Sequence, residues 1–353
     1  MKAYIRSAAA VSPQNTFNNP LFLDDVVEHS GTRLNCIEPD YHSLIDPKLS
    51  RRMSRIIKMS VACAFACLQN AWVEQPQAIV TGTAYGCLED TGNFLSSIVE
   101  QDEDPVSPVA FVQSTHNTIG AQIALLLKSH GYNNTFVNGG VSFENALLDA
   151  MMLLREGYSD ILVGGMDEIT DMSHAILTRT GIYRRGAVSN LQLFEPRSKG
   201  TIAGEGASFF LLNSIPSNDD LACIEAVSTF HKPVDRSEVI DQIKSFLNSQ
   251  SIEMADIDLL LTGDNGDIKN DAIYDRVRAA LFSGVPSARY KHLCGEYPVS
   301  SAFALWLSAN MVKTNSVPPA TGHDGHQDDK ISKVLIYNHY QNIHHSLILV
   351  SAC

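Results

Sequence analysis

The 353-residue sequence predicts an α/β fold made of two related halves. Three observations carry that expectation. Short β-rich runs alternate with helical stretches, the order of elements in the first half recurs in the second, and 44% of the residues are hydrophobic against 18% charged. A chain of this length and composition can bury a sheet on both faces.

The elements follow in order. AYIRSAAAV reads as a strand, LSRRMSRIIKMSVACAFACLQNAW as a helix, QAIVTGTAYG as a strand and THNTIGAQIALLLKSH as a helix. The strand NTFVNGG, the helix FENALLDAMMLLREG and the strands ILVGGMDE and GASFFLLN complete the first half. The second half gives strand LACIEAVSTF, helix SEVIDQIKSFLNSQ, strand IDLLLTG, helix DAIYDRVRAALF, strand-like ARYKHLC, helix SSAFALWLSANMV and closing strands KVLIYNHY and HHSLILVSA. The polar stretch IPSNDD is the natural seam, dividing an N-terminal half, 1–215, from a C-terminal half, 216–353. NSVPPATGHDGHQDDK reads as a surface loop, and its His323, Asp324, His326 and Asp328 are types that such loops collect without binding metal.

Composition narrows the function. A net charge of -13 lacks the general basic field that nucleic-acid binding requires, although Arg51, Arg52, Arg55 and Lys58, then Arg184, Arg185, Arg197 and Lys199, form local basic groups. No segment reaches the ~18 apolar residues of a membrane span, and MKAYIRSAAAVSPQ is too short in apolar run for a secretion signal, so a cytoplasmic location is expected. Seven scattered cysteines without a CxxC pair fit a reducing compartment, with Cys63 and Cys67 read as core. No cofactor is implied: TGTAYG lacks the dinucleotide-binding spacing and no P-loop is present.

The segment LFEPRSKGTIAGEGASFFLL, with Phe194, Arg197, Gly200, Gly204, Glu205, Gly206 and Ala207, resembles the β-ketoacyl synthases, which carry Gly-Glu-Gly-Ala before a strand. The glycines permit a tight turn, and Glu205 between them suits a buried pairing with a cation. Gly157, Asp160 and the Gly164-Gly165 strand end resemble the stretch that follows the family's nucleophile helix. VTGTAYGCL and SPVAFVQSTHNTIGAQIAL extend the resemblance upstream. It implies a thiolase-like fold, a five-layer α-β-α-β-α sandwich of duplicated halves, active as a dimer with the nucleophile region near the subunit interface.

The same resemblance implies a chemistry that this chain has lost. Family members take an acyl group onto a cysteine thiolate at a strand-to-helix turn, where a helix N-terminus favours the anion by ~0.3–1 kcal/mol. Two imidazoles then stabilise the enolate formed on malonyl decarboxylation. Family spacing puts the nucleophile position on Gly140, and a slip to Val141 or Ser142 restores no thiol. Ser142 is read as a helix N-cap. The first histidine position falls on Gly263, and in the Lys-x-x-x-Gly-His pattern Lys291 is kept while Glu296 replaces the imidazole, where it can pair with Lys291. The family's gating loop is matched loosely by Asn338 to Ile343, without its glycines.

Retained scaffold with erased chemistry reads as a non-catalytic, chain-length-factor-like subunit. The expected partners are an active ketoacyl synthase subunit in a heterodimer, or a second copy in a homodimer, and an acyl carrier protein. The setting implied is fatty-acid, polyketide or aryl-polyene-type biosynthesis. Thr115, His116, Asn117, Gly139, Val141 and Tyr340 are the expected interface or tunnel residues. Two other readings stand beside it: an acyltransferase or 3-oxoacyl-carrier synthase using non-standard residues, such as Ser142 with His116 or His292, and an acyl-binding scaffold homodimer.

Overall fold

The computed structural model describes residues 2–19, 22–101, 108–195, 198–325 and 330–353; Arg197, His326 and Asp328 lie outside them. Ten strands form the main sheet: β1 (Ala3–Val11), β2 (Ala78–Gly82), β3 (Tyr132–Phe136), β4 (Ile161–Asp167), β5 (Gly206–Asn213), β6 (Ala222–His231), β7 (Leu259–Thr262), β8 (Ser287–Arg289), β9 (Lys333–Tyr340) and β10 (His344–Ser351). Their spatial order is β8-β7-β9-β10-β6-β1-β5-β4-β2-β3. The first five strands in chain order therefore lie as third, second, fourth, fifth, first, and the last five repeat that order. In each set the second strand pairs parallel with the third and fourth, and the fifth runs antiparallel to both its neighbours. The two sets join where β1 pairs antiparallel with β6, Tyr4 opposite Cys223.

Six helices cover the sheet: α1 (Arg55–Asn70), α2 (Thr118–Leu127), α3 (Ser142–Arg155), α4 (Arg236–Ser249), α5 (Ile268–Leu281) and α6 (Ser301–Thr314). Both α3 and α6 touch strands of the two five-strand sets, so they form a central layer between them. Phe143, Leu147, Phe303 and Trp306 share one core there with strand residues from both sets. Being enclosed on all sides, α6 is apolar around most of its circumference. One outer layer packs Ile57, Cys63, Cys67 and Ile119 of α1 and α2 on the first set, and the other packs Ile243, Phe246 and Tyr274 of α4 and α5 on the second. The result is the expected five-layer α-β-α-β-α sandwich.

Two local differences from the sequence reading have physical reasons. The helix expected from Leu49 is interrupted at Met53, which turns into the outer core, and α1 starts at Arg55. In ARYKHLC the strand stops at Arg289 and a helical turn, Lys291–Cys294, follows. Among the described residues no helix is long and apolar enough to cross a membrane.

Candidate functional site

The turn between β3 and α3 carries Gly140, the position that the resemblance assigns to the nucleophile. Gly139 to Val141 form one 3₁₀ turn, with Gly139 at φ 61°, and α3 starts at Ser142. Gly140 is buried against the end of β9. A Cβ at that position would lie 2.4 Å from Tyr340 Cβ, 3.1 Å from Tyr340 Cγ and 3.2 Å from His344 Cβ. Only glycine fits, so a thiol or hydroxyl at residue 140 is excluded by volume as well as by sequence.

Tyr340 is held in that place from two directions. Its strand turns back through Gln341 and Asn342, both left-handed at φ 57° and 53°, and Ile343 N donates to Tyr340 O at 3.0 Å. Across the site its hydroxyl shares a 2.9 Å hydrogen bond with that of Tyr85. Tyr85 is fixed through Asp167 at the end of β4, whose Oδ1 accepts from Thr83 Oγ1 at 2.8 Å, Ala84 N at 2.9 Å and Tyr85 N at 3.1 Å. Burial pushes the Asp167 carboxyl up to about 6 against those donors.

The first histidine position is hemmed in by the ends of three side chains. Gly263 follows β7, and a Cβ there would meet Asn338 Oδ1 at 2.3 Å, Tyr274 OH at 2.7 Å and Lys291 Cε at 3.1 Å. The second carries Glu296, 2% exposed, in a bidentate contact with the fully buried Lys291: Nζ donates to Oε1 at 2.9 Å and to Oε2 at 2.8 Å. Asn265 Nδ2 adds a bond to Oε2 at 2.5 Å, and Lys291 also donates to the His339 carbonyl at 3.2 Å. Burial raises the Glu296 carboxyl, with the Lys291 charge opposing it. Lys291 is therefore committed to an internal ion pair.

Behind these positions the Gly-Glu-Gly-Ala segment is intact as a structural part. Glu205 is fully buried, and its carboxylate takes two 2.6 Å bonds from the Arg55 guanidinium, with Cys36 N at 2.9 Å and Ile169 N at 3.2 Å completing its shell. Gly204 lies against the Cys294–Gly295 backbone, where a Cβ would come within 2.1 Å of Cys294 O. Glu296 N donates to Ile202 O at 2.9 Å and Gly204 N to Glu296 O at 3.0 Å, so this segment positions Glu296.

The remaining sequence-predicted residues separate. Ser142 is not an N-cap: it opens α3, and its hydroxyl accepts from Asn138 N and donates to Gly139 O, each at 2.8 Å, tying down the glycine turn. Neither proposed base reaches it in the hydrogen bonds of the described residues. His292 Nε2 lies 2.6 Å from Ala320 O, and the exposed His116 rests against Gly86. Thr115 Oγ1 donates to Val112 O at 3.0 Å, while Asn117 is exposed ahead of α2 and makes no cap bond with its side chain. Among the basic residues Arg51, Arg52, Arg185 and Lys199 are exposed, but Arg55 is used by Glu205 and Glu38, and Arg184 is 9% exposed with its guanidinium toward Gly200 O at 3.4 Å. His323 and Asp324 join no cluster of three or more metal-ligating side chains among the described residues.

Tyr85, Asp167, Asn265 and Tyr183 are site residues that the sequence did not single out. Tyr183, stacked on His174, donates its hydroxyl to Glu296 O at 3.3 Å. Only Tyr85 carried a signal, by its place in the TGTAYG strand end.

Comparison with known proteins bears on the fold. Residues 32–188 match the family described as "Beta-ketoacyl synthase, N-terminal domain". A 3-oxoacyl-[acyl-carrier-protein] synthase homolog of Saccharomyces cerevisiae is 22% identical over 183 residues, 47% of this chain and 40% of that protein. The chain thus matches less than half of that relative's length. The ishigamide ketosynthase/chain length factor has TM-score 0.83 at 16% identity, over 100% of this chain and 99% of that one. A ketosynthase in complex with its chain length factor from Xenorhabdus doucetiae has TM-score 0.77 at 16% identity, over 99% and 98%. At these identities the structural likeness concerns the fold.

Proposed function

We propose, from the premise that this chain is a thiolase-fold relative of the β-ketoacyl synthases, that it serves as a non-catalytic, chain-length-factor-like subunit of an active condensing enzyme. The observation that carries the reading is steric. The position for the nucleophile has no room for a side chain, that for the first imidazole is hemmed in by three side-chain ends, and the third holds a carboxylate already engaged by Lys291 where the family has an imidazole. Loss of a nucleophile and its partners typically costs on the order of a millionfold where they act as a unit.

The surface supports pairing with another subunit. β3 is the edge of the sheet among the described residues, its ladder made with β2, and its residues Tyr132 to Phe136 carry no charge. Uncharged edges of this kind are templates for a further strand. Around it, Val137 is 43% exposed, Leu125 of α2 69% and Met152 of α3 54%, an apolar surround suited to a subunit contact. Thr115, His116, Asn117, Gly139 and Val141 lie on the segments entering α2 and α3, beside this edge, and are the proposed contact residues. An acyl carrier protein would supply the intermediates to the assembly.

Co-expression with a ketosynthase that has its Cys-His-His set, followed by native mass spectrometry, tests the reading. A one-to-one complex is expected, with a labelled acyl group carried by the synthase chain alone. A stable homodimer that ignores the synthase supports the scaffold alternative, and an acyl adduct on this chain that disappears in Ser142→Ala would overturn the non-catalytic assignment.

A further inference from the structure

We infer that Tyr85 and Tyr340 form a fixed internal plug that fills the space in front of Gly140, so that this subunit carries no acyl chain within its own fold. The meaning of that space as an acyl site rests on the proposed function. Tyr340 lies against residue 140, and Tyr85, half-buried, closes on Tyr340 through the bond between their hydroxyls.

Three features make the rings a plug rather than a gate. First, the approach is at contact: the Tyr340 Cβ and Cγ stand where any substituent on residue 140 would begin. Second, the hairpin bearing Tyr340 is pinned on several sides. β9 and β10 pair without a register shift from Lys333↔Ser351 to Tyr340↔His344. Ile343 O accepts from Lys232 N at 2.8 Å, Asn342 N donates to His339 Nδ1 at 3.2 Å, and Asn342 Nδ2 donates to Asn270 Oδ1 at 3.0 Å. Third, the facing ring is anchored independently, since Tyr85 is bound through its backbone to Asp167 on another strand. The two hydroxyls then satisfy each other at 2.9 Å, which removes the penalty for burying either phenol unpaired. Tyr183 stands on the third side, against the Glu296 carbonyl.

A consequence follows for any paired assembly. If the subunit limits product length, it does so at the contact with its partner, because Tyr340 stands at contact distance in front of residue 140. The volume is recoverable by truncation. Removing both rings frees on the order of 200 Å³, and an engineered cavity of ~150 Å³ already admits benzene.

The test uses the purified chain alone and a neutral acyl probe, the octanoyl thioester of N-acetylcysteamine, with binding read by calorimetry and by saturation-transfer NMR. Wild-type protein and Tyr340→Phe are expected to show no binding at about 1 mM probe, while Tyr85→Ala/Tyr340→Ala binds at least roughly tenfold more tightly than that limit. Near-UV circular dichroism and a cooperative melt establish that the double variant is folded. Tyr340→Phe separates ring volume from the phenol hydrogen bond, since it keeps the first and removes the second. Wild-type binding equal to that of the double variant overturns the inference, because the rings then exclude nothing. A folded double variant that still does not bind also overturns it, because the rings then did not occupy acyl-sized space. Neither outcome bears on complex formation with a synthase, so failure of the plug and failure of the pairing model are distinguishable.

Discussion

Two buried ion pairs in this molecule look alike and do different things. Glu205–Arg55 stands behind the site, where the carboxylate is fully buried and receives two guanidinium and two backbone N–H bonds. Glu296–Lys291 stands at the site, where the ammonium is fully buried and meets a carboxylate, a carbonyl and, through Glu296, an amide. The first belongs to the Gly-Glu-Gly-Ala segment and holds four segments of the first half together, those of Cys36, Arg55, Ile169 and Glu205. The second occupies ground that the resemblance assigns to an imidazole. The contrast is one of setting: both carboxylates are internalised, but only the second stands among the positions that the resemblance assigns to catalysis.

The largest expected effects come from breaking either pair one-sidedly. Lys291→Met leaves Glu296 buried without its cation, and Arg55→Met leaves the fully buried Glu205 without its guanidinium. Each should lower stability by about 3–5 kcal/mol, measured by denaturant unfolding at pH 7. The sharper comparison is restoration. Lys291→Met/Glu296→Leu should recover part of the loss, because two apolar chains avoid the desolvation of both charges while Asn265 Nδ2 and the His339 carbonyl each lose a partner. Arg55→Met/Glu205→Leu should recover less, since Cys36 N and Ile169 N lose their acceptor and Glu38 loses its cation as well. Equal recovery in both would show that the two pairs are equivalent after all.

A smaller effect tests the steric closure. Gly140→Ala places a methyl at 2.4 Å from Tyr340 Cβ and should destabilise by about 1–3 kcal/mol through overpacking. Combining it with Tyr340→Gly should give less loss than the sum of the two single changes, a coupling read from a double-mutant cycle. Additive losses would mean that Tyr340 moves aside at no cost. Ser142→Ala should cost about 1 kcal/mol, from two lost turn bonds.

Much of this was legible in the sequence, and the illegible part has a common cause. The alternation of β-rich runs and helical stretches, and its recurrence, carried the duplicated fold. Spacing assigned Gly140 from Gly157 and Asp160, and Glu296 from Lys291, by resemblance, and the pairing of Glu296 with Lys291 was readable because the one follows the other by five positions. The requirement of Glu205 for a cation was readable, but its supplier was not: Arg55 lies 150 positions away and resembled part of a solvated basic patch. Tyr85 and Tyr340 are 255 positions apart, and nothing local to either announces the other. The Ser142 hydroxyl serves the preceding turn rather than capping its helix, a choice set by the glycine conformations before it.

The smallest effect at neutral pH, and one that grows on acidification, concerns the histidines under the hairpin. His345 is 1% exposed, with Nδ1 3.1 Å from the Tyr337 hydroxyl and its ring stacked on Phe230, while His339, His344 and His231 lie in the same group. Burial holds its imidazole down to about 4 from an ordinary 6.5, and burial with the His345 and Lys291 charges lowers His339 too. A base depressed on folding contributes stability that is complete above pH 6.5 and is lost as pH falls toward 4, because the unfolded chain takes up protons first. Asp167 and Glu168, raised by burial to about 6 and about 7, act in the opposite sense, so the melting temperature of wild-type protein alone mixes the two. His345→Gln isolates the imidazole. Its melting temperature relative to wild type should rise steadily between pH 6.5 and pH 4, and a constant difference across that range would show that His345 does not titrate on unfolding.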